Sequence, residues 1–265
     1  MLMSILDEQI HPLLLKTYTI VIPAYNEENR IGKVLDEVCM FISTNKLPWE
    51  VIVAVDGSDH TNDIIEKYHK QYSFVSSKKS LGRSGMGGAI KRGIVSSHCE
   101  FTIMMDADGS AKLLDMIENI ELLESYEVLN FNRYSSTKNF IPFKRRLASR
   151  VFNLILKALF NINIYDTQCG YKIMKTKEAA KIVKKITFTN GFFLTAFFLH
   201  CKKSGIKVTE VPLNYNHTEG SKFNVIMTSI SYIISIMAFW LTNSRLNRFI
   251  PISLSQLYYR KFKYL

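Results

Sequence analysis

A short apolar run that stops at a cluster of polar and acidic residues recurs along the first half of the chain. Thr17–Pro23 (TYTIVIP) stops at Ala24–Glu27, Glu50–Val55 (EVIVAV) at Asp56–Ser58, and Phe101–Met105 (FTIMM) at Asp106–Asp108. Such runs are too short for helices and rich in β-branched residues, so they read as strands buried on both faces. Helical patterns separate them. Glu27–Ile42 places Ile31, Val34, Leu35, Val38 and Ile42 on one face, Asp59–Gln71 begins with Asp59 as its N-cap, and Gly85–Ser97 and Ala111–Leu123 follow the same pattern. Glu127–Phe131 is a further strand. Strands alternating with helices predict an α/β fold with an open, mostly parallel sheet, in which ligands bind beyond the carboxyl ends of the strands. The three polar clusters are therefore expected to share one site.

The second half is less regular. Phe143–Phe160 reads as a helix with a basic start, Gly170–Met174 and Ile206–Leu213 as strands, and one helix between them ends near Lys203. With 265 residues, 47% hydrophobic and 22% charged, the chain is long enough for one large domain, or one domain with an appendage. The net charge of +11 favours an anionic partner: nucleic acid, an acidic lipid surface or a phosphorylated substrate. Cys39, Cys99, Cys169 and Cys201 are widely spaced, which argues against a zinc knuckle or disulfide framework and for reduced thiols in a cytosolic compartment. Met1–Lys16 carries Asp7 and Glu8 and lacks a basic leader, so it reads as a short arm rather than a signal peptide.

Each polar cluster has a chemical reading and a plain one. Asp106 and Asp108, two residues apart after a buried strand, can face one hard divalent ion such as Mg²⁺ or Mn²⁺, which would bridge a diphosphate; they also read as a solvated turn. Pro23-Ala24-Tyr25-Asn26-Glu27 can hold a nucleobase and ribose, or simply start a helix capped by Asn26. Asp56-Gly57-Ser58-Asp59 can accept hydrogen bonds from a base or ribose, or form an Asp-Gly turn. Gly85-Met86-Gly87-Gly88 can bring backbone N–H groups to an anion at a helix start, or make a tight turn.

The ordered set is more specific than any member. It resembles the family-2 glycosyltransferases of the GT-A fold, and within them the polyprenyl (dolichyl) phosphate sugar synthases, from about Thr17 to Asn224. Asp166-Thr167-Gln168-Cys169-Gly170-Tyr171-Lys172, Glu210-Val211-Pro212 and His217 through Gly220-Ser221-Lys222 are similar to the dolichyl-phosphate glucosyltransferases in particular. The resemblance implies that Pro23, Tyr25, Glu27, Asp56, Gly85 and Gly87 bind a nucleotide-sugar. Asp106 would lie near the ribose or diphosphate, and Asp108 would be the principal ligand of a metal they share. It further implies that Arg133, Arg145 and Ser149, with Arg146 as an alternative, hold the acceptor phosphate, for which a guanidinium fork is well shaped. Their plain reading is a solvated basic helix start. Catalysis would thus rest on Asp106, Asp108, Arg133 and Arg145.

The chain departs from that pattern in three places. Val55 stands where relatives often carry a second aspartate, and Met86 where many carry lysine. Leu194 and Ala196 stand where relatives carry acidic residues. A hydroxyl acceptor normally needs a general base; a phosphate acceptor is already anionic and does not. The missing carboxylate thus favours a phosphate acceptor over a glycan hydroxyl, and it equally suits a nucleotide-binding pseudoenzyme. Asp166 is the nearest motif acid that could substitute. The Asp-Thr-Gln-Cys-Gly motif points to UDP-glucose, and the Gly-Met-Gly loop to GDP-mannose.

Residues 1–222 are assigned to the catalytic domain and 223–265 to an apolar helix with a basic-aromatic tail. Phe223–Leu241 contains no charged residue but includes Asn224, Thr228, Ser229, Ser231 and Ser235. The segment can lie in a membrane interface, span a bilayer or pack as a soluble helix, and it offers a contact between copies of the chain. Arg245, Arg248, Arg260, Lys261 and Lys263 interleave with Tyr258, Tyr259 and Phe262, as suits an anionic membrane surface. The expected place is the cytoplasmic face of a membrane. No nucleic-acid partner is expected, since no groove-reading motif accompanies the basic residues.

Overall fold

The computed structural model describes residues 11–80, 82–136, 139, 141–216 and 225–243. The side chains of residues 144, 145, 225–230, 242 and 243 lie outside that description. In chain order the elements are β1 Tyr18–Tyr25, α1 Ile31–Thr44, β2 Glu50–Asp56, α2 Thr61–Gln71, β3 Val75–Lys79, α3 Gly85–Val95, β4 Phe101–Met104 and α4 Leu113–Ile117. After these come β5 Val128–Asn132, α5 Phe143–Phe160, β6 Lys172–Lys175, α6 Thr176–Lys185, α7 Phe192–Lys203, β7 Val208–Pro212 and α8 Val225–Asn243.

The strands form one seven-stranded sheet in the order β3-β2-β1-β4-β6-β5-β7. All neighbours are parallel except β6, which runs antiparallel to both β4 and β5. Alternation along the strands sends side chains into two cores. Ile20, Ile22, Phe101 and Ile103 join Ile31, Val34, Leu35 and Ile65 of α1 and α2 on one face. Met104, Val128 and Met174 join Ile90, Ile94, Val183 and the α7 phenylalanines on the other. The predicted GT-A-like α/β architecture is therefore present, with helices on both sides of a mostly parallel sheet.

Several elements differ from the sequence expectation. The helix expected from Glu27 begins at Ile31, because Asn26 adopts a left-handed conformation (φ 54°) and Glu27–Arg30 forms a turn. Asn26 is therefore not the cap of α1. The second helix starts at Thr61 with His60 at its N-cap, yet the Asp59 carboxylate still accepts the Thr61 N–H at 3.1 Å. Strand β3 was not expected, since Val75-Ser-Ser-Lys-Lys is polar; it is an edge strand, where lysines discourage pairing with other chains. Ala111–Leu123 divides into α4 and a 3₁₀ turn at Ile120–Glu124. The single helix expected before Lys203 is two, α6 and α7.

Helix α8 packs on α5 and α7. Tyr232 meets Phe152 with ring centroids 5.6 Å apart, and Phe239 meets Phe160 at 5.7 Å. Its buried Ser231 and Ser235 accept hydrogen bonds from Asn190 Nδ2 at 3.3 Å each, so these serines face the protein. No described helix is long and apolar enough to cross a membrane. Residues 217–224 and 244–265, which include the 222/223 boundary and the basic-aromatic tail, lie outside the described residues.

Candidate active site

The strand order reverses at β1: β2 and β3 lie on one side and β4 on the other. Such a reversal opens a crevice at the carboxyl ends of the strands. Tyr25 and Asp56 close β1 and β2 in register, and Asp106 follows β4, whose end is held to β1 by a hydrogen bond from Met105 N–H to Val21 O at 3.0 Å.

The loops after β1 and β2 interlock. Asn26 Oδ1 accepts the Ser58 N–H at 3.1 Å, and a Cβ on Gly57 (φ 113°) would come within 2.2 Å of that oxygen. Only glycine fits there. Glu27 donates its N–H to Thr61 Oγ1 at 2.8 Å and pairs through its carboxylate with Arg30. Pro23 lies within β1, and the half-exposed Tyr25 ring is covered by the Arg83 guanidinium at 4.8 Å.

Asp56 is buried and anchors the glycine loop. It accepts the Ser84 N–H at 2.8 Å, the Ser84 hydroxyl and the Arg92 guanidinium at 2.8 Å. The Gly87 N–H donates to Thr189 O at 2.9 Å, while the Gly85 backbone also lies against that carbonyl. The loop is thus tied to β2 on one side and to the segment before α7 on the other.

Asp106 is half-buried, and no described residue donates a hydrogen bond to it. Burial, and then the neighbouring Asp108 charge, pushes its carboxyl up to about 6, although Arg133 and Lys172 oppose the rise. Asp108 Oδ1 accepts the Ser110 N–H at 2.9 Å and its hydroxyl at 2.6 Å. Gly170 lies flush against Asp106, where an added Cβ would sit 2.0 Å from Oδ1. Two mutually repelling carboxylates, one without a donor, fit a divalent cation that would relieve the repulsion. Their all-oxygen chemistry suits Mg²⁺ or Mn²⁺. Among the described residues no third acidic, histidine or cysteine side chain completes a group with them. A cation there would draw its other ligands from diphosphate and water, as Mg²⁺ commonly does.

Arg133 and the basic start of α5 behave differently. Arg133 forms a bidentate pair with the buried Asp166, its Nε at 2.8 Å and a terminal nitrogen at 2.9 Å, and its N–H adds a third bond at 3.0 Å. Burial works against the guanidinium charge, but Asp166 outweighs it. Glu210 of β7 accepts the Tyr165 and Asp166 N–H groups at 2.9 and 3.0 Å, which fixes that turn. Asp166 is therefore committed to Arg133 and not placed as a substitute base. Arg146 is exposed and Ser149 half-buried on α5, while the Arg145 side chain lies outside the described residues. Leu194 and Ala196 are buried, and Thr195 between them meets the hydroxyl of Thr167 at 3.0 Å, so no carboxylate enters here.

Sequence reasoning missed several residues that shape the crevice. Arg92, Ser84 and Arg83 carry no motif of their own. Lys172 lay within the quoted motif without a role; it is buried, donates to Cys169 O, and its Nζ sits 5.0 Å from the Phe198 ring centre. Burial lowers its pKa.

A family model described as Glycosyl transferase family 2 matches residues 19–182. The chain belongs to that family. It is a glycosyltransferase. Among curated relatives, the dolichyl-phosphate beta-glucosyltransferase of Dictyostelium discoideum is 26% identical over 229 residues, covering 80% of this chain and 70% of its own. The human protein of the same description is 29% identical over 226 residues, covering 78% and 69%. Among solved structures, mannosyl-3-phosphoglycerate synthase of Rubrobacter xylanophilus superposes with a TM-score of 0.62 at 14% identity, covering 90% of this chain and 80% of that one. Glucosyl-3-phosphoglycerate synthase of Mycobacterium tuberculosis, in complex with Mn²⁺ and UDP-glucose, gives 0.57 at 12% identity, covering 83% and 78%. At these identities the structural likeness shows the fold.

Proposed function

We propose that this glycosyltransferase moves glucose from UDP-glucose to a polyprenyl phosphate such as dolichyl phosphate, with inversion at the anomeric carbon. One observation carries the reading: Asp106, without a donor among the described residues and repelled by Asp108, lies just beyond the end of β4 beside β1, at the crevice where the strand order reverses. The names of the curated relatives favour glucose and a dolichyl phosphate acceptor over GDP-mannose. A mycobacterial synthase of the same fold that binds Mn²⁺ and UDP-glucose supports a divalent cation and this donor. When bound, Mg²⁺ or Mn²⁺ would neutralise charge gathering on the departing diphosphate.

The chain's own residues supply the rest. Tyr25 and the Asp56-anchored loop would bound the nucleoside, and Asp106 and Asp108 would hold the cation. An acceptor phosphate oxygen forms the new bond to the anomeric carbon as the bond to the UDP oxygen breaks. No proton must be removed from such an acceptor, so buried Leu194 and Ala196 do not hinder the step. Arg133, charged and close enough to influence Asp106, and Arg145 or Arg146 with Ser149, would supply positive charge and hydrogen-bond donors to that phosphate. The +11 net charge supports work at the anionic cytoplasmic face of a membrane.

Purified protein given UDP-glucose or GDP-mannose with polyprenyl phosphate, with and without chelator, tests this. Asp108→Ala and Asp108→Asn are expected to lower transfer by about 10²–10³-fold, as for removal of a main charge-stabilising group. Wild-type turnover in both variants, or no lipid product with UDP-glucose, would defeat the proposal.

A further inference from the structure

Helix α5 has two apolar faces. One joins the protein core through the buried Leu156 and the partly buried Phe152, Ile155 and Phe160. The other is turned to solvent: Phe143 is 76% exposed, Leu147 50%, Val151 52% and Leu154 68%. Their spacing of four, four and three residues aligns them on one side of the helix, roughly opposite Leu156. Scattered apolar residues on a surface need no explanation, but a continuous stripe on a regular helix marks a contact site.

The charges beside the stripe identify the partner. Arg146, Arg150 and Lys157, all exposed, run along one edge of it, and α5 (FKRRLASRVFNLILKALF) contains no acidic residue. A protein partner with a matching acidic rim would need fixed geometry. An anionic lipid surface needs only a lipid-facing stripe beside a cationic row, with long side chains reaching up to the headgroups. We propose that α5 is the face on which this protein seats on an anionic bilayer, with Phe143, Leu147, Val151 and Leu154 entering the interface and Arg146, Arg150 and Lys157 among the headgroups. The inference deepens, and rests on, the lipid-phosphate reading of the site. Arg146 and Ser149 belong to the same helix, so a seated α5 brings the candidate phosphate-binding residues to headgroup depth, where a polyprenyl phosphate presents its charge. The neighbouring α8 also exposes Ile233 and Met237.

The test is co-sedimentation of the full chain with phosphatidylcholine vesicles and with vesicles containing phosphatidylserine. Wild-type protein is expected to partition to the anionic vesicles. Val151→Asp/Leu154→Asp is expected to lower that partition by tenfold or more. Arg150→Glu/Lys157→Glu is expected to weaken it only where phosphatidylserine is present, each lost cation costing about fivefold. Thermal melting checks that both variants are folded, and each pair is a separate test, so either alone decides. Unchanged partition in the apolar variant, or no vesicle binding by wild type, overturns the proposal. So does a change in oligomeric state without a change in vesicle binding, which would make the stripe a contact between copies. Transfer to a short-chain, water-soluble polyprenyl phosphate separates this from the function: it should survive in Val151→Asp/Leu154→Asp. Its absence from wild type would sink the activity and leave the vesicle result standing.

Discussion

Asp106 and Asp166 are aspartates at the same end of one sheet, and the protein treats them in opposite ways. Asp166 receives three hydrogen bonds from Arg133 and is fully satisfied. Asp106 receives none from the described residues and is pressed by the Asp108 charge. A satisfied acid beside its base helps hold the fold; a half-buried acid left without donors carries a cost that a bound cation would relieve. The Arg133–Asp166 side of the crevice is thus satisfied by the protein itself, and the Asp106 side is not.

Breaking the satisfied pair tests this difference most severely. Arg133→Met leaves the Asp166 carboxylate buried and alone, with an expected cost of about 3–5 kcal/mol, because half a buried ion pair is worse than none. For a chain of this size that is a fall of roughly 10 °C in melting temperature. Removing both charges, as in Arg133→Met/Asp166→Leu, should restore much of the loss. A single variant that melts like wild type would show that the pair is not structural.

Gly170→Ala probes the unsatisfied side. The new methyl group would collide with Asp106 Oδ1. Mn²⁺ affinity by calorimetry should fall about 10–100-fold, the range seen when a supporting shell around a ligand is disturbed. Melting should change less than in Arg133→Met. Unaltered Mn²⁺ binding would mean that this carboxylate does not face the cation.

The smallest effect is a slope. The Asp106 carboxyl is raised in the folded protein from 3.8 to about 6. The group therefore contributes stability that is fully present below its unfolded value and lost as pH rises through about 6. Without divalent cation, wild type should lose on the order of 2 kcal/mol more than Asp106→Asn between pH 4 and 7, measured by denaturant unfolding. Saturating Mg²⁺ should abolish the difference. Parallel curves for the two proteins would break the contrast between the two aspartates.

Local chemistry explains which parts were readable. Strands β1, β2 and β4 are apolar on both faces, so their ends, and with them Tyr25, Asp56 and Asp106, stand out in the chain. Strand β3 escaped because an edge strand can be polar. Helix α7 was less distinct because Phe192–Leu199 is buried on every side, leaving no periodic contrast. The Arg133–Asp166 pair joins residues 33 apart, and the Asp56–Arg92 pair residues 36 apart, so no local pattern announces either. The α8 serines look like interruptions of an apolar surface, but Ser231 and Ser235 point inward at Asn190. Polarity in the sequence did not show which way it faced.

The antiparallel β6 has a consequence for how the chain is born. Strands β5 and β7 bond to each other, and β6 alone connects them to β4. Both lateral neighbours of β5 come later in the sequence than β5 itself. During synthesis from N- to C-terminus the apolar β5 (Val128–Asn132) therefore emerges with both edges bare and stays so while the next forty or so residues are made, a delay of several seconds at ordinary elongation rates. An apolar strand left with both edges bare is the kind of surface that chaperones cover.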